Sequence, residues 1–190
     1  PSTQFNKQKP NPMKNFTKSI LTAVIFLTVL CFAKAQTNVS GGIYANTTWT
    51  KANSPYIVTD TVVVFPGVTL PIPPGVTVKF ADNKRLEIRQ AKLIASGTAT
   101  DSITFTSNSL TPVAGSWAGV LLNGDNLQSP FNYCNFKYGN EALKEVGLTL
   151  SSSNTNTRKI KNSNFKNNNT GLKAAWIDMD SCIFNNNNFS

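Results

Sequence analysis

The stretch TVVVFPGVTLPIPPGVTVKF (residues 61–80) decides the fold, because it consists of short β-branched runs separated by glycine turns. The turn repeats: Pro66-Gly67-Val68-Thr69 returns shortly afterwards as Pro74-Gly75-Val76-Thr77. Each run is too short to bury an apolar face alone, so it must stack on the next turn of the chain, as in a solenoid. The stretch therefore predicts a coil of parallel strands.

Working outward, alternation of apolar and polar residues dominates residues 56–106, and no segment has a helical period over a useful length. Seven strands are predicted: residues 56–58, 62–65, 69–72, 76–80, 86–88, 93–95 and 103–106. Strands so closely spaced could also form antiparallel hairpins in a sandwich or barrel, which is the main alternative.

A second repeat favours the coil. The segments FNYCNF (131–136), IKNSNF (160–165) and MDSCIF (179–184) superpose without gaps, although the intervals between them are unequal. They predict that Phe136, Phe165 and Phe184 form one interior column. Gly147-Leu148 also recurs as Gly171-Leu172, at an interval that we interpret as nearly one turn of a three-sided coil.

These segments also carry a resemblance. TLPIPPGVTVKF (69–80), RLEIRQAKLIASGTATDSITFTS (85–107), GSWAGV (115–120) and FNYCNFKYG (131–139) resemble the exported right-handed parallel β-helix proteins, of the pectate-lyase-like fold, of Bacteroidetes-type bacteria. The resemblance implies an all-β right-handed parallel β-helix in a large secreted or surface protein. It is specific to the fold and not to a function.

The chain starts with an export signal in our interpretation. Met13 precedes Lys14 and Lys18, an apolar run (20–32) and Ala33-Lys34-Ala35, which is the order of a signal peptide with a small-x-small cleavage site. A lipoprotein signal ending at Cys31 is the competing reading. The predicted organisation is upstream read-through (1–12), a signal peptide (13–35), a leader that covers the coil (36–55) and an incomplete β-helix (56–190), the chain being an N-terminal fragment.

Charge argues against nucleic acid as a partner. Signal cleavage would remove five basic residues and lower the net charge from +9 to +4. The one basic group, Lys84, Arg85, Arg89 and Lys92, has the spacing of outward residues around Leu86 and Ile88, so a solvated strand face explains it. We expect no nucleic-acid binding and no membrane insertion after cleavage.

No catalytic, cofactor or metal site is predicted. The chain has no histidine, which excludes the serine–histidine and cysteine–histidine nucleophile systems. Lyases that share the resembled fold use calcium, which needs about six to eight oxygen ligands. Asp178 and Asp180, with Arg158 nearby, are the only acidic pair at strand spacing, and we interpret both aspartates as solvated. The other acids are scattered: Asp60, Asp82, Glu87, Asp101, Asp125, Glu141 and Glu145.

Cysteine, asparagine and proline positions follow from the repeat. Cys134 and Cys182 fall on one column with Ser163 between them, so they are about 9.6 Å apart at two strand spacings and too distant for a disulfide. Asparagines 162, 164, 167–169 and 185–188 are expected at left-handed corners and in amide ladders, with Asn167 above Asn186. Pro71 and Pro73 are expected to turn their missing N–H groups toward the N-terminal end of the coil.

Aromatic residues supply the candidate stacking contacts for a ligand, and a polar strip of asparagines that hydrogen-bonds sugar hydroxyls is the alternative to their structural role. Trp117 is expected to pack within the coil, whereas Tyr138 and Trp176 are candidate stacking positions for sugar rings. We predict a non-catalytic exported cell-surface module that is structural, adhesive or polysaccharide-binding, with polysaccharide or cell-surface components as partners. The alternative is a polysaccharide lyase or glycoside hydrolase whose active site lies on later turns.

Overall fold

A computed structural model describes residues 36–124, 129–147, 157–175 and 177–188. The strands are β1 (Thr37–Ile43), β2 (Tyr56–Val64), β3 (Thr69–Ile72), β4 (Thr77–Phe80), β5 (Arg85–Arg89), β6 (Lys92–Ser96), β7 (Ile103–Ser107), β8 (Gly119–Asn123), β9 (Phe131–Asn132), β10 (Cys134–Lys137), β11 (Glu141–Val146), β12 (Arg158–Lys161), β13 (Asn164–Lys166), β14 (Thr170–Lys173), β15 (Ile177–Asp180) and β16 (Ile183–Asn185). A short 3-10 helix, Lys51–Asn53, follows β1. The predicted signal peptide and upstream segment lie outside the described residues, and none of the described helices is long and apolar enough to cross a bilayer.

The strands wind into a right-handed parallel β-helix, as predicted. Face one contains residues 56–58 of β2 followed by β4, β7, β10, β13 and β16. Face two contains residues 62–64 of β2 followed by β5, β8, β11 and β14, and face three contains β3, β6, β9, β12 and β15. Every strand pairing in the described chain is parallel, which contradicts the hairpin alternative. We call one passage through the three faces a rung.

The interior is a set of stacked columns, because the register of one rung is kept on the next. On face one Phe105, Phe136, Phe165 and Phe184 are stacked nearly parallel, with successive ring centroids 4.9, 4.9 and 4.8 Å apart. The predicted phenylalanine column is confirmed. Each buried aromatic ring removes a large apolar area from water, so this column is a main stabilising element of the coil.

The Gly-Leu repeat that we inferred from the sequence is wrong. Leu172 pairs with Leu143, and Gly171 therefore lies next to Ala142 and not next to Gly147. The match between Gly147-Leu148 and Gly171-Leu172 is coincidental, since Leu148 lies outside the described residues and Gly147 follows the end of β11. Rung length is set by the corner loops, which strand patterns do not reveal.

The leader contacts the first rung. Strand β1, which the polar sequence did not predict, pairs in parallel with β2. Trp49 is buried and stacks on Tyr56 at 4.9 Å. The backbone N–H of Trp49 donates to the carbonyl oxygen of Pro71 at 3.1 Å. Pro71 lies on β3, and the opposite edge of this strand pairs with β6. Because the N and O atoms of one strand residue point the same way, the missing N–H of Pro71 faces the leader, as predicted for the N-terminal side.

Asparagines line the corner between faces one and two. Asn167 and Asn186 both have positive φ, of 57° and 52°, and so confirm the predicted left-handed corner. The side-chain amide ladder is formed two residues further along each corner. Asn188 donates to Asn169 and Asn169 donates to Asn140, each at 2.9 Å. Stacked amides thus satisfy one another from rung to rung.

Both described cysteines are free, and the register places them on one column as predicted. Ser163 lies between the two cysteines on this column, and its Oγ accepts a hydrogen bond of 3.1 Å from the backbone N–H of Cys134. Cys134 is buried, whereas Cys182 is half-buried on the last described rung. Burial raises the pKa of the Cys134 thiol to about 12, because an apolar surrounding disfavours the thiolate.

Candidate functional site

The predicted acidic pair lies on the outer surface of face three. Asp178 and Asp180 are exposed on β15, and Lys161 Nζ lies 3.4 Å from Asp180 Oδ2. Arg158 does not join them, because it is fully buried. Nothing in the described residues groups three or more carboxylate or thiol ligands for a metal. Two exposed aspartates, one of them paired to a lysine, do not fit the ligand set of calcium.

A charged pair lies inside the coil instead. Glu145 occupies the inward column of face two, next to Leu122, and Nη2 of Arg158 approaches its Oε1 to 2.5 Å. The Arg158 Nη1 donates to the carbonyl of Ser129 at 2.9 Å. The second Glu145 oxygen accepts from the N–H of Ala175 at 3.3 Å. Sequence reasoning missed this pair, although the outward-inward alternation of β11 places Glu145 inward.

Four carboxylates on the outer surface have lowered pKa values. The hydrogen bond from Arg89 lowers the pKa of Glu87, and the hydrogen bond from Lys84 lowers that of Asp60. Ser181, then Lys161, lower the pKa of Asp180. For Glu141, burial acts in the raising direction, but hydrogen bonds from Lys144 and Lys173 outweigh it and lower the pKa. None of these four is the raised-pKa carboxylic acid that glycoside hydrolysis requires.

The predicted basic group does not form one cluster. Arg85 and Arg89 are exposed on β5, whereas Lys92 lies on β6 of face three. Lys84 pairs with Asp60 at 2.9 Å. Arg89 pairs with Glu87 at 2.8 Å and lies over the ring of Phe65, 5.5 Å from its centroid. The prediction of a solvated strand face is right for Arg85 and Arg89 and wrong for Lys84 and Lys92, because Lys84 precedes β5 and Lys92 lies on another face.

The outer surface of face one carries a different group of cations. One outward file runs Lys79, Thr106, Lys137, Lys166 and Asn185 across successive rungs. The three lysines form no ion pair within the described part of the chain. Neighbouring rungs are about 4.8 Å apart, so Lys137 and Lys166 are adjacent and Lys79 is two rungs away from Lys137. Sequence reasoning missed this file, because its members lie far apart along the chain.

Beside the lysines runs a file of uncharged polar side chains. Thr77, Thr104, Asn135 and Asn164 occupy successive rungs, and Asn164 donates to Asn135 at 3.0 Å. All four are half-buried, so their polar groups lie against the sheet and still reach solvent. Face one therefore presents hydroxyls, amides and ammonium groups and, among its described outward strand residues, no carboxylate.

The aromatic candidates differ in position. Trp117 is fully buried, stacks on Phe80 at 4.2 Å and donates its indole N–H to the carbonyl of Lys137 at 2.7 Å, which confirms its structural role. Tyr138 is half-buried at the corner directly after β10, with φ of 64°. It borders face one, and its contact with a ligand stays a prediction. Trp176 lies outside the described residues.

Comparison with known proteins agrees with this architecture. A family model described as pectate-lyase like beta helix domain matches residues 41–157, more than half of the 190-residue chain. No curated protein and no solved structure matches. The matched residues include all of strands β2 to β11, which build the first three rungs and most of the fourth. The chain therefore belongs to the family of pectate-lyase-like β-helix domains.

Proposed function

We propose that this chain is a non-catalytic module of an exported cell-surface protein, and that it binds an extended acidic polysaccharide along face one. The observation that carries the proposal is the file of Lys79, Lys137 and Lys166, which form no ion pair with a described residue, on a sheet face whose described outward strand residues include no carboxylate. The parallel sheet holds the backbone positions of these lysines at a regular spacing, which suits a linear polymer that lies across the strands.

The polar file beside the lysines supports a sugar ligand. Thr104, Asn135 and Asn164 offer hydroxyl and amide groups that exchange hydrogen bonds with sugar hydroxyls. The lysines add attraction for acidic groups on the polymer, and this attraction weakens as salt concentration rises. Tyr138, at the edge of the same face, is the proposed stacking residue, and Trp176 is proposed as a second one from its sequence context alone.

The charge state of the acids supports a non-catalytic role. A hydrolase of this fold needs facing carboxylates, one of them with a raised pKa. Four carboxylates have lowered pKa values: Asp60, Glu87, Glu141 and Asp180. Glu141 pairs with two lysines, and each of the other three pairs with one cationic side chain. The signal-like sequence of residues 13–35 supports export to the cell exterior or outer surface.

Affinity electrophoresis of the full chain in gels containing neutral or acidic polysaccharides tests the binding. We expect retardation by at least one acidic polymer, weaker at high salt. The variant K79Q/K137Q/K166Q should bind about tenfold more weakly or worse, because each lost charge-assisted hydrogen bond contributes about 1.5 kcal/mol or more. Tyr138→Ala should weaken binding without altering the salt dependence.

The matched control is K92Q/K159Q/K161Q, which removes the same charge from face three. It should bind like the unmodified chain. Equal loss of binding in both triple variants would show that net charge, and not face one, attracts the polymer. Absence of retardation across the panel, or release of sugar products by the chain, would overturn the proposed function.

A further inference from the structure

Face two carries a small cavity on its outer surface, away from the lysine file. Gly119 pairs with Arg85 and has φ of 129°, and a Cβ at this position would lie 1.8 Å from the carbonyl oxygen of Glu141. Both the backbone conformation and the available space therefore require glycine here. The cavity is a depression on this surface, with Gly119 in its lining.

The depression is polar and of definite size. Its volume is about 70 Å³, and its side-chain polar groups belong to Arg85, Asn140, Glu141 and Lys144. Residues 118–121 also line it. Since a water molecule occupies about 30 Å³ in the liquid, the space takes a group of only a few heavy atoms.

The polar groups around the cavity are arranged for an anion. Glu141 is already neutralised, with its two oxygens 2.5 Å from Lys144 Nζ and 3.2 Å from Lys173 Nζ. Arg85 forms no ion pair with any residue that the structure describes. Asn140 accepts from Asn169 through Oδ1, which directs its Nδ2 donor group elsewhere. Among the residues that line the cavity, two cations, Arg85 and Lys144, and one carboxylate, Glu141, leave a net positive charge.

We propose that this cavity binds one carboxylate group. Arg85 donates to both carboxylate oxygens through its planar guanidinium, and Asn140 and Lys144 supply single donors. The two files of face one lack a planar guanidinium group and bind by spaced charges, so the two sites are independent. The carboxylate comes either from a small organic acid or from an acidic sugar, and the experiment distinguishes these sources.

Titration of the isotopically labelled full chain with sodium acetate, at constant ionic strength, tests the site by NMR. We expect saturable shifts of the Gly119 backbone amide and of the Asn140 side-chain amide. D-glucuronate is the second probe, and D-glucose is its uncharged control. Tighter binding of glucuronate than of acetate would identify an acidic sugar as the source of the carboxylate. Equal affinity for the two probes would show that the site recognises the carboxylate group alone, as a small organic acid supplies it.

Arg85→Gln should weaken binding about tenfold or more and Arg85→Lys less, because lysine keeps the charge but loses the two parallel hydrogen bonds. Lys92→Gln, which removes one charge on face three, should bind normally. Unsaturable shifts, equal shifts with chloride or glucose, or unchanged affinity in Arg85→Gln would overturn the proposal. The lysine variants of face one should leave acetate binding intact, so either site can fail without the other.

Discussion

Nη2 of Arg158 lies 2.5 Å from Oε1 of Glu145, and both side chains point into the interior of the coil, 0% and 4% exposed. The two residues stand on either side of the corner between faces two and three, at the end of β11 and the start of β12. The ion pair therefore joins the end of β11 to the start of β12 inside the coil.

Removing one partner should destabilise the coil strongly. Glu145→Gln and Arg158→Met should each lower the free energy of unfolding by about 3 to 5 kcal/mol, because each breaks a buried charge–charge interaction by removing one of its two charges. Urea unfolding followed by circular dichroism measures the loss. The double variant E145L/R158M should recover most of it, since neither charge remains buried. Asp101→Asn, which breaks the exposed pair with Lys51, should change stability by less than about 1 kcal/mol. A double variant as unstable as the singles would show that the pair stabilises beyond charge compensation.

The phenylalanine column predicts a graded effect of truncation. Phe136 is fully buried between Phe105 and Phe165, so Phe136→Ala should cost about 3 to 5 kcal/mol through lost burial and the remaining cavity. Phe184 is half-buried and stacks on one described ring, so Phe184→Ala should cost clearly less. Thermal unfolding of the two variants compares them. Equal losses would contradict the column as the source of the stability.

The two thiols should react at different rates. The pKa of Cys134 is raised to about 12 by burial, so its thiol stays protonated at pH 8, whereas Cys182 is half-buried. Iodoacetamide under native conditions should modify Cys182 first, as measured by peptide mass spectrometry. Above about pH 9 the unfolded thiol ionises and the folded one does not, so Cys134 should lower stability as pH rises from about 9 to 12. Cys134→Ala, matched against Cys182→Ala, should remove that decline. Equal alkylation rates would contradict the burial of Cys134.

Low pH should lower the stability of the coil by protonating Glu87 on the outer surface of face two. The pKa of Glu87 is lowered chiefly by its hydrogen bond from Arg89, so this carboxylate contributes stability that is present above its unfolded pKa of about 4.3. The contribution is lost as pH falls through the lowered folded value. Glu87→Gln should therefore flatten the loss of stability between about pH 5 and pH 2, measured by chemical unfolding at each pH. Asp82→Asn is the control, and an equal flattening in that variant would assign the effect to overall charge.

Alternation and repetition carried most of the fold in the sequence. Runs with alternating apolar and polar residues, such as residues 76–80, predict which side chains face inward, because successive side chains of a strand point to opposite faces whatever the strand pairs with. The superposed segments that end in Phe136, Phe165 and Phe184 also predicted the register, because equivalent residues of successive rungs pair with one another. β1 was missed because its TNVSGGI sequence has little apolar alternation and depends on pairing with β2.

By itself, the sequence determined that this chain is a parallel β-helix and which apolar residues fill it. Only the tertiary structure decided which polar residues meet: Glu145 with Arg158 inside, Lys79 with Lys137 and Lys166 on face one, and Arg85 with Gly119 and Glu141 on face two. The physical reason is the variable corner loops, which set the length of each rung. A change in one loop leaves every strand pattern intact and yet brings different side chains together on the outer surface.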